Sequence, residues 1–255
     1  MALINYVGCH LSDSYVTLAE ANDYLAGRGG IEAWNDASAQ ARERLLRQAV
    51  VDIDLFRYKG QKFFDGYPLS ITAPYTTLFE FSLTYRQSLQ FPRSWHAYFT
   101  GRAGGGSDTT VVVPELSYLN HSYNSLIGGT IYIITGSGSF SYSNITSYDP
   151  TTATFTVSPS FSDSVDTTSL YVILEAIPRE VKFAQIEQAL HICLNEVSRS
   201  RKSREEGILS ETIGDVSVTY SAPYYGSDSL YGSVSPNAFR FLTRFIDRTH
   251  RLGRV

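Results

Sequence analysis

The 255-residue chain is short of several things that would place it quickly. It has two cysteines, Cys9 and Cys193, and neither belongs to a Cys-x-x-Cys pair. A disulfide scaffold and a cysteine-ligated zinc site are therefore not expected. Apolar runs are only a few residues long, far below the roughly 20 needed to cross a bilayer, so no membrane partner is expected. The opening Met-Ala-Leu-Ile-Asn-Tyr lacks a basic flank followed by an apolar core, so no secretory signal is read there. Charged residues make up 18% against 43% apolar, which excludes a disordered tail and allows a proper core. The net charge of -4 argues against a protein whose whole surface tracks nucleic acid.

Basic residues are also missing from one long stretch. Residues 103–177 contain no Lys and no Arg, yet they carry Asp108, Glu115, Asp149, Asp163, Asp166 and Glu175. All 21 basic residues lie outside it. Ser, Thr, Gly, Tyr, Val and Ile dominate the stretch, which is strand and turn chemistry. The flanks read as helical. Such a change marks a domain border, and Gly-Arg-Ala-Gly-Gly-Gly-Ser at 101–107 reads as a flexible linker. The expected division is thus 1–102, 103–177 and 178–255, the middle part being inserted into the outer two.

In the first flank, Thr17-Leu-Ala-Glu20 forms a capping box for a helix to about Ala26, stopped by Gly27, Gly29 and Gly30. Trp34 falls in the connection. A longer helix is expected over about 37–58, with Leu45, Leu46, Ala49, Val50, Ile53 and Phe56 at helical spacing and Gly60 closing it. Pro68, Pro74 and Pro92 break the region that follows. In the second flank, Phe183, Ile186, Leu190, Cys193 and Val197 draw one apolar stripe through a helix begun near Pro178. Val216, Val218 and Tyr220 alternate with polar residues, as in a strand or an extended arm over 208–234. A last helix is expected over 236–252, with Ser235-Pro236 at its start.

The middle stretch reads as strands at 128–135, 141–148, 154–157 and 169–174, with 111–113 as a further edge, in a small sandwich or barrel. Gly136-Ser-Gly138 joins two of these strands and is a hairpin turn, not a phosphate loop.

Catalytic signatures are absent from the sequence. The five histidines are scattered, no His-x-x-x-His pair sits on a helix, and there is no Gly-x-Ser-x-Gly elbow, Walker A sequence or Gly-x-Gly-x-x-Gly after a strand. No catalytic residue, metal or cofactor is expected. The last helix offers something else. Arg240, Arg244, Arg248 and Arg251 step by four, four and three, Arg254 follows, and Asp247 is the one acid among them. A solvated basic face and a docking face for carboxylates or phosphates both fit that pattern. Nucleic-acid binding through this face is the alternative to the reading given next, although no aromatic platform interleaved with a basic groove is legible.

An ordered set of motifs carries a resemblance. Ser14-Tyr-Val-Thr-Leu-Ala-Glu-Ala-Asn-Asp-Tyr-Leu25, the Trp34 connection, residues 45–60 with Asp52 and Tyr58-Lys-Gly60, Leu89-Gln-Phe-Pro-Arg93, Ile177-Pro-Arg-Glu-Val-Lys-Phe-Ala184 and Ser210-Glu-Thr-Ile-Gly-Asp-Val-Ser-Val-Thr-Tyr220 together resemble the head–tail connector adaptors of tailed bacteriophages. Residues 128–135, 145–149 and 166–172 separately resemble a β module found inside phage structural proteins. The resemblance implies an α+β protein. It would have a helical-bundle adaptor core, an inserted small all-β domain of sandwich or barrel type, and an extended C-terminal arm plus helix. It implies a structural neck protein of the virion, made in the bacterial cytoplasm, in a homo-oligomeric ring of about twelve copies under the portal protein. The ring would receive the tail or a stopper protein and pass DNA without sequence-specific contact. Because adaptor C-termini reach back to the portal, the implied contact residues are Arg240, Arg244, Arg248, Arg251, Arg254, Phe239, Tyr220, Tyr224, Tyr225 and Tyr231. Some relatives in this family carry a single-stranded-DNA-binding label.

Overall fold

The structure is a computed structural model that describes residues 2–64, 87–117, 126–196, 210–213, 216–219 and 234–247. The chain divides into two compact units. One comprises Ile4–Tyr15 and Tyr58–Pro178, the other Met1–Leu3, Val16–Arg57 and Arg179–Val255.

The first unit is built on seven strands: β1 (Tyr98–Arg102), β2 (Gly105–Gly106), β3 (Thr110–Val112), β4 (Thr130–Thr135), β5 (Ser141–Asp149), β6 (Thr154–Ser158) and β7 (Leu170–Leu174). They form one antiparallel sheet in the order β1-β7-β4-β5-β6-β3-β2. β1 and β2 stand at opposite edges, yet only Ala103 and Gly104 separate them in the chain. Two residues span less than about 10 Å, so the sheet has to curl until its edges approach. Backbone bonds at the join show this directly: Ala103 N donates to Ser169 O beside β7, while Gly104 N donates to Val112 O of β3, both at 2.9 Å. Register shifts at Ile133/Thr135 and Ile145/Ser147 supply the bends. Inside the curl pack Val111, Val113, Ile131, Ile133, Ile145, Phe155, Val157, Tyr171 and Ile173.

The opposite face of β4 and β7 is buried as well. Tyr132 lies under the N-terminal segment, its hydroxyl donating to Val7 O at 2.5 Å, while Val7 N donates to Thr130 Oγ1 at 2.8 Å. Phe64 meets Tyr132 and Phe63 meets Tyr98 edge-on, at 5.6 and 5.1 Å. Gly8 at φ +79° is required there, because a Cβ would come within 2.9 Å of both Leu174 and Phe64. A short helix, α4 (Pro114–Ser117), follows β3.

The second unit contains α1 (Leu18–Leu25), α2 (Glu32–Asp36), α3 (Ala39–Asp54), α5 (Arg179–Glu196), a hairpin of β8 (Ser210–Ile213) and β9 (Val216–Thr219), and α6 (Pro236–Leu242). α1 begins at the expected capping box: Glu20 N donates to Thr17 Oγ1 at 3.1 Å and Thr17 N to the Glu20 carboxylate at 2.7 Å. Burial alone would raise the Glu20 carboxyl, but the Lys182 ammonium at 2.6 Å and the bonds from Thr17 together hold the group below its ordinary value. α5 is the axis of this unit. It buries Val181, Ala184, Ile186, Ala189 and Leu190, and with them the polar Gln185, Glu187 and Gln188. Each polar group is matched. Gln185 donates to Leu46 O at 3.0 Å, Gln188 donates to Asp52 at 2.7 Å and accepts from Ser235 N at 2.7 Å, and Glu187 takes Arg28, Tyr24 and Asn237.

The expected fold class is corrected by this architecture. A curled seven-stranded antiparallel sheet is the main feature, not a helical-bundle core carrying a small β insertion and an extended arm. Segments 58–64 and 87–97 are non-helical chain packed with the sheet unit. The helix expected over 37–58 ends at Asp54, and the chain bends at 59–60 before Lys62 pairs with Arg93. The C-terminal helix expected over 236–252 stops at Leu242, where Phe245 and Ile246 turn inward and bury. Ser210–Ile213 and Val216–Thr219 pair antiparallel with each other, which satisfies the facing strand groups that an extended arm would leave open.

Candidate nucleic-acid interface

The C-terminal residues come first. Phe239 is half-buried against Phe56, with ring centroids 5.8 Å apart. Arg240 is exposed on α6. Arg244 lies past the helix end, where it pairs with Glu180 at 3.0 Å and sits 4.5 Å over the Phe245 ring. The continuous arginine stripe therefore does not run through the described part of this segment. Arg248, Arg251, Arg254, Tyr220, Tyr224, Tyr225 and Tyr231 lie outside the described residues.

The sheet unit brings together two sequence motifs some 30 positions apart. Lys62 and Arg93 form an antiparallel bridge, Phe63 N donates to Pro92 O at 3.1 Å, and Ser94 N donates to Gln61 O at 2.8 Å. Arg93 is 6% exposed, and its guanidinium donates to several carbonyls and a side-chain amide. Nε donates to Lys59 O at 3.1 Å, Nη2 to Tyr58 O at 3.1 Å and to Gly60 O, and Nη1 to Gln90 O and Oε1 at 3.3 and 2.8 Å. This is the five-donor fork of arginine used as a staple, a role lysine cannot fill.

His96 and Trp95 sit on that staple. The His96 Nδ1 accepts from Arg93 N at 3.0 Å, while Nε2 is buried with no partner. Burial, the Arg93 backbone contact and the Arg93 charge together leave its pKa lowered to about 4, burial being the largest influence. The imidazole is therefore neutral at pH 7. Trp95 stacks on it at 4.4 Å and 23°, and its indole N–H donates to Lys59 O at 3.1 Å. Gly60 at φ +74° makes room for the ring, since a Cβ there would lie 3.0 Å from it. With its indole so fixed, Trp95 remains 45% exposed. Lys59 is exposed beside it, and Lys62 reaches Ser88 O at 3.1 Å. From 81 to 107 the chain has no acid, and none occurs in 58–64. Sequence reading missed this group, because its cations and its tryptophan come from two separate segments.

Elsewhere Tyr171 donates to Glu115 at 2.7 Å under the side-chain-free Gly101. Burial and then the carboxylate push its phenol far above the ordinary value, so it is a locked structural pair. Among the described residues no group of three His, Cys, Asp or Glu is placed to hold a metal ion, and no helix is long and apolar enough to cross a membrane. A cleft of about 500 Å³ in the helical unit is lined by Ala37, Ala41, Arg44, Gln48, Ile192 and Cys193, among others.

Residues 1–71 match a family model described as "Putative DnaT-like ssDNA binding protein". No curated protein and no solved structure matches the chain. The matched segment includes α1, α2, α3 and the Tyr58-Lys-Gly-Gln-Lys62 side of the arginine staple.

Proposed function

We propose that this chain works by binding and not by catalysis, and that its ligand is single-stranded nucleic acid. The observation that carries the reading is the match of residues 1–71 to a family model described as DnaT-like and single-stranded-DNA-binding. The net charge of -4 confines any such contact to a local basic surface. The C-terminal arginines are the weaker place for it, since Arg244 is already committed to Glu180. Fluorescence anisotropy of a labelled oligo(dT) at 50 and 200 mM salt tests the reading. Binding that weakens as salt rises is expected; no binding at 50 mM overturns it.

A second reading, a head–tail adaptor of a phage neck, is favoured by a different observation. The resembling motifs occur in order along the chain, and two of them, at 58–60 and 89–93, meet through the Arg93 guanidinium. On this reading the protein sits in the virion as a ring of about twelve copies, touching the portal, its own copies and the tail or a stopper protein, with DNA passing through. Mass photometry of the protein alone and mixed with its portal tests this. A stoichiometric ring on the portal is expected, and absence of any association overturns it.

A further inference from the structure

We infer that α3 is a self-recognition helix, along which two copies of this chain pair antiparallel about a two-fold axis at Gln48. Neither the nucleic-acid reading nor the adaptor reading is needed for it.

Helical spacing puts Ala41, Arg44, Gln48 and Asp52 on one side of α3, with the C-cap Leu55 continuing it and Leu45 and Val51 flanking it. That side is open. Arg44 and Gln48 are exposed. Val51 and Leu55 are 58% and 64% exposed, the most open large apolar side chains among the described residues. One turn apart, these two make a ridge at the C-terminal end of the helix. Toward its N-terminal end lies a hollow, the cleft of about 500 Å³, lined by Ala37, Ala41 and Leu45 from this side and by Ile192 and Cys193 of α5. At 1.5 Å per residue, Ala41 and Leu55 are about 20 Å apart. Reversing the helix over Gln48 sets position 55 of one copy against 41 of the other, and 51 against 45. Each ridge then enters the partner's hollow, twice per dimer, which is the self-complementarity that a two-fold contact requires.

Charge selects the same arrangement. Among the described residues Arg44 has no acceptor. The Asp52 carboxylate is held only by neutral amides, from Gln48 at 3.2 Å and Gln188 at 2.7 Å. Eight positions separate the two residues, about 12 Å along the axis, so they do not meet within one chain. The reversal over Gln48 brings each Arg44 beside the partner's Asp52, where the planar guanidinium suits a carboxylate. Parallel pairing would instead set Arg44 against Arg44 and ridge against ridge. One face of a 16-residue helix, about 24 Å long and about 10 Å wide, covers well under the roughly 800 Å² per partner of a standard interface. The dimer is therefore expected to dissociate in the micromolar range.

Sedimentation velocity of the full-length protein from about 1 to 200 μM, at low and high salt, is the experiment. A monomer–dimer equilibrium that tightens at low salt is expected. L55E and R44E change exposed positions, and each should weaken the dimer about tenfold or more. The double reversal R44D/D52R restores an opposite-charge pair across the axis and should recover association that R44D alone loses. Because Asp52 also holds Gln188, a variant without charge reversal guards against misfolding. Q48C lies at the axis, so with oxidised glutathione as the oxidant two Q48C chains should join as a disulfide-linked dimer. E43C, on another side of α3, should not, and the wild type is the control for Cys9 and Cys193, both buried. A protein that stays monomeric throughout overturns the inference. So does a dimer that L55E and R44E leave intact, or one in which Q48C links no better than E43C.

Discussion

His96 couples this region of the protein to pH. Its pKa lies at about 4 in the fold against an ordinary 6.5, so between those values the unfolded chain takes up a proton that the folded one refuses. Stability is therefore complete above pH 6.5 and falls as pH drops toward 4, by about 3 kcal/mol at most from this group. Urea unfolding followed by Trp95 emission at pH 7.5 and 4.5 checks it, and H96Q should flatten the dependence across that window. Glu20, Asp149 and Asp166, all lowered, act only at more acidic pH. Arg93 gives a second prediction. R93K leaves several buried carbonyls without donors and should lower stability by about 3 kcal/mol, read as a lower urea midpoint. The chemistry of neither residue was legible in the sequence. The Leu89-Gln-Phe-Pro-Arg93 motif could be seen, but its partners, the carbonyls of Tyr58, Lys59 and Gly60, belong to backbone, which carries no residue signature.

Elements were legible where a local rule decides them. The Thr17/Glu20 capping box starts α1, and T17A should cost about 1 kcal/mol. Strands β4 to β7 fall where β-branched and aromatic residues alternate between turn residues. Reading failed where tertiary burial decides. α5 was expected to bury one stripe, yet it is surrounded, and its buried Gln185, Glu187 and Gln188 look like surface residues in the sequence. Gln188 joins α3 to the start of α6 through Asp52 and Ser235 N. Q188L keeps the volume but strands both partners, and thermal unfolding should show a loss of about 1–3 kcal/mol. The end of α6 is the same lesson reversed. The arginine spacing continues helically past Leu242, but Phe245 and Ile246 are drawn into the core and end the helix early.

At the scale of the molecule, the composition border near residue 103 is real as chemistry, but the sheet does not respect it. β1 precedes it, and Ile4–Tyr15 joins the same unit from the far N-terminus. A sheet that curls to bring its edges together depends on the tight crossing at residues 103–106. Gly106 has φ +157°, and a Cβ there would come 2.2 Å from Thr110 O. G106V should therefore lower the melting temperature by several degrees without altering the helical unit's circular-dichroism signal at 222 nm. The pairing also sets an order in time. Val7 bonds to Thr130 and Tyr132, so the first residues synthesised wait for partners more than a hundred positions away. At about 5–20 residues per second on the ribosome, the N-terminal segment stays uncovered for roughly 6 to 25 seconds while the rest of its sheet emerges. A nascent chain of this protein is a natural client for whatever chaperone waits at the tunnel exit.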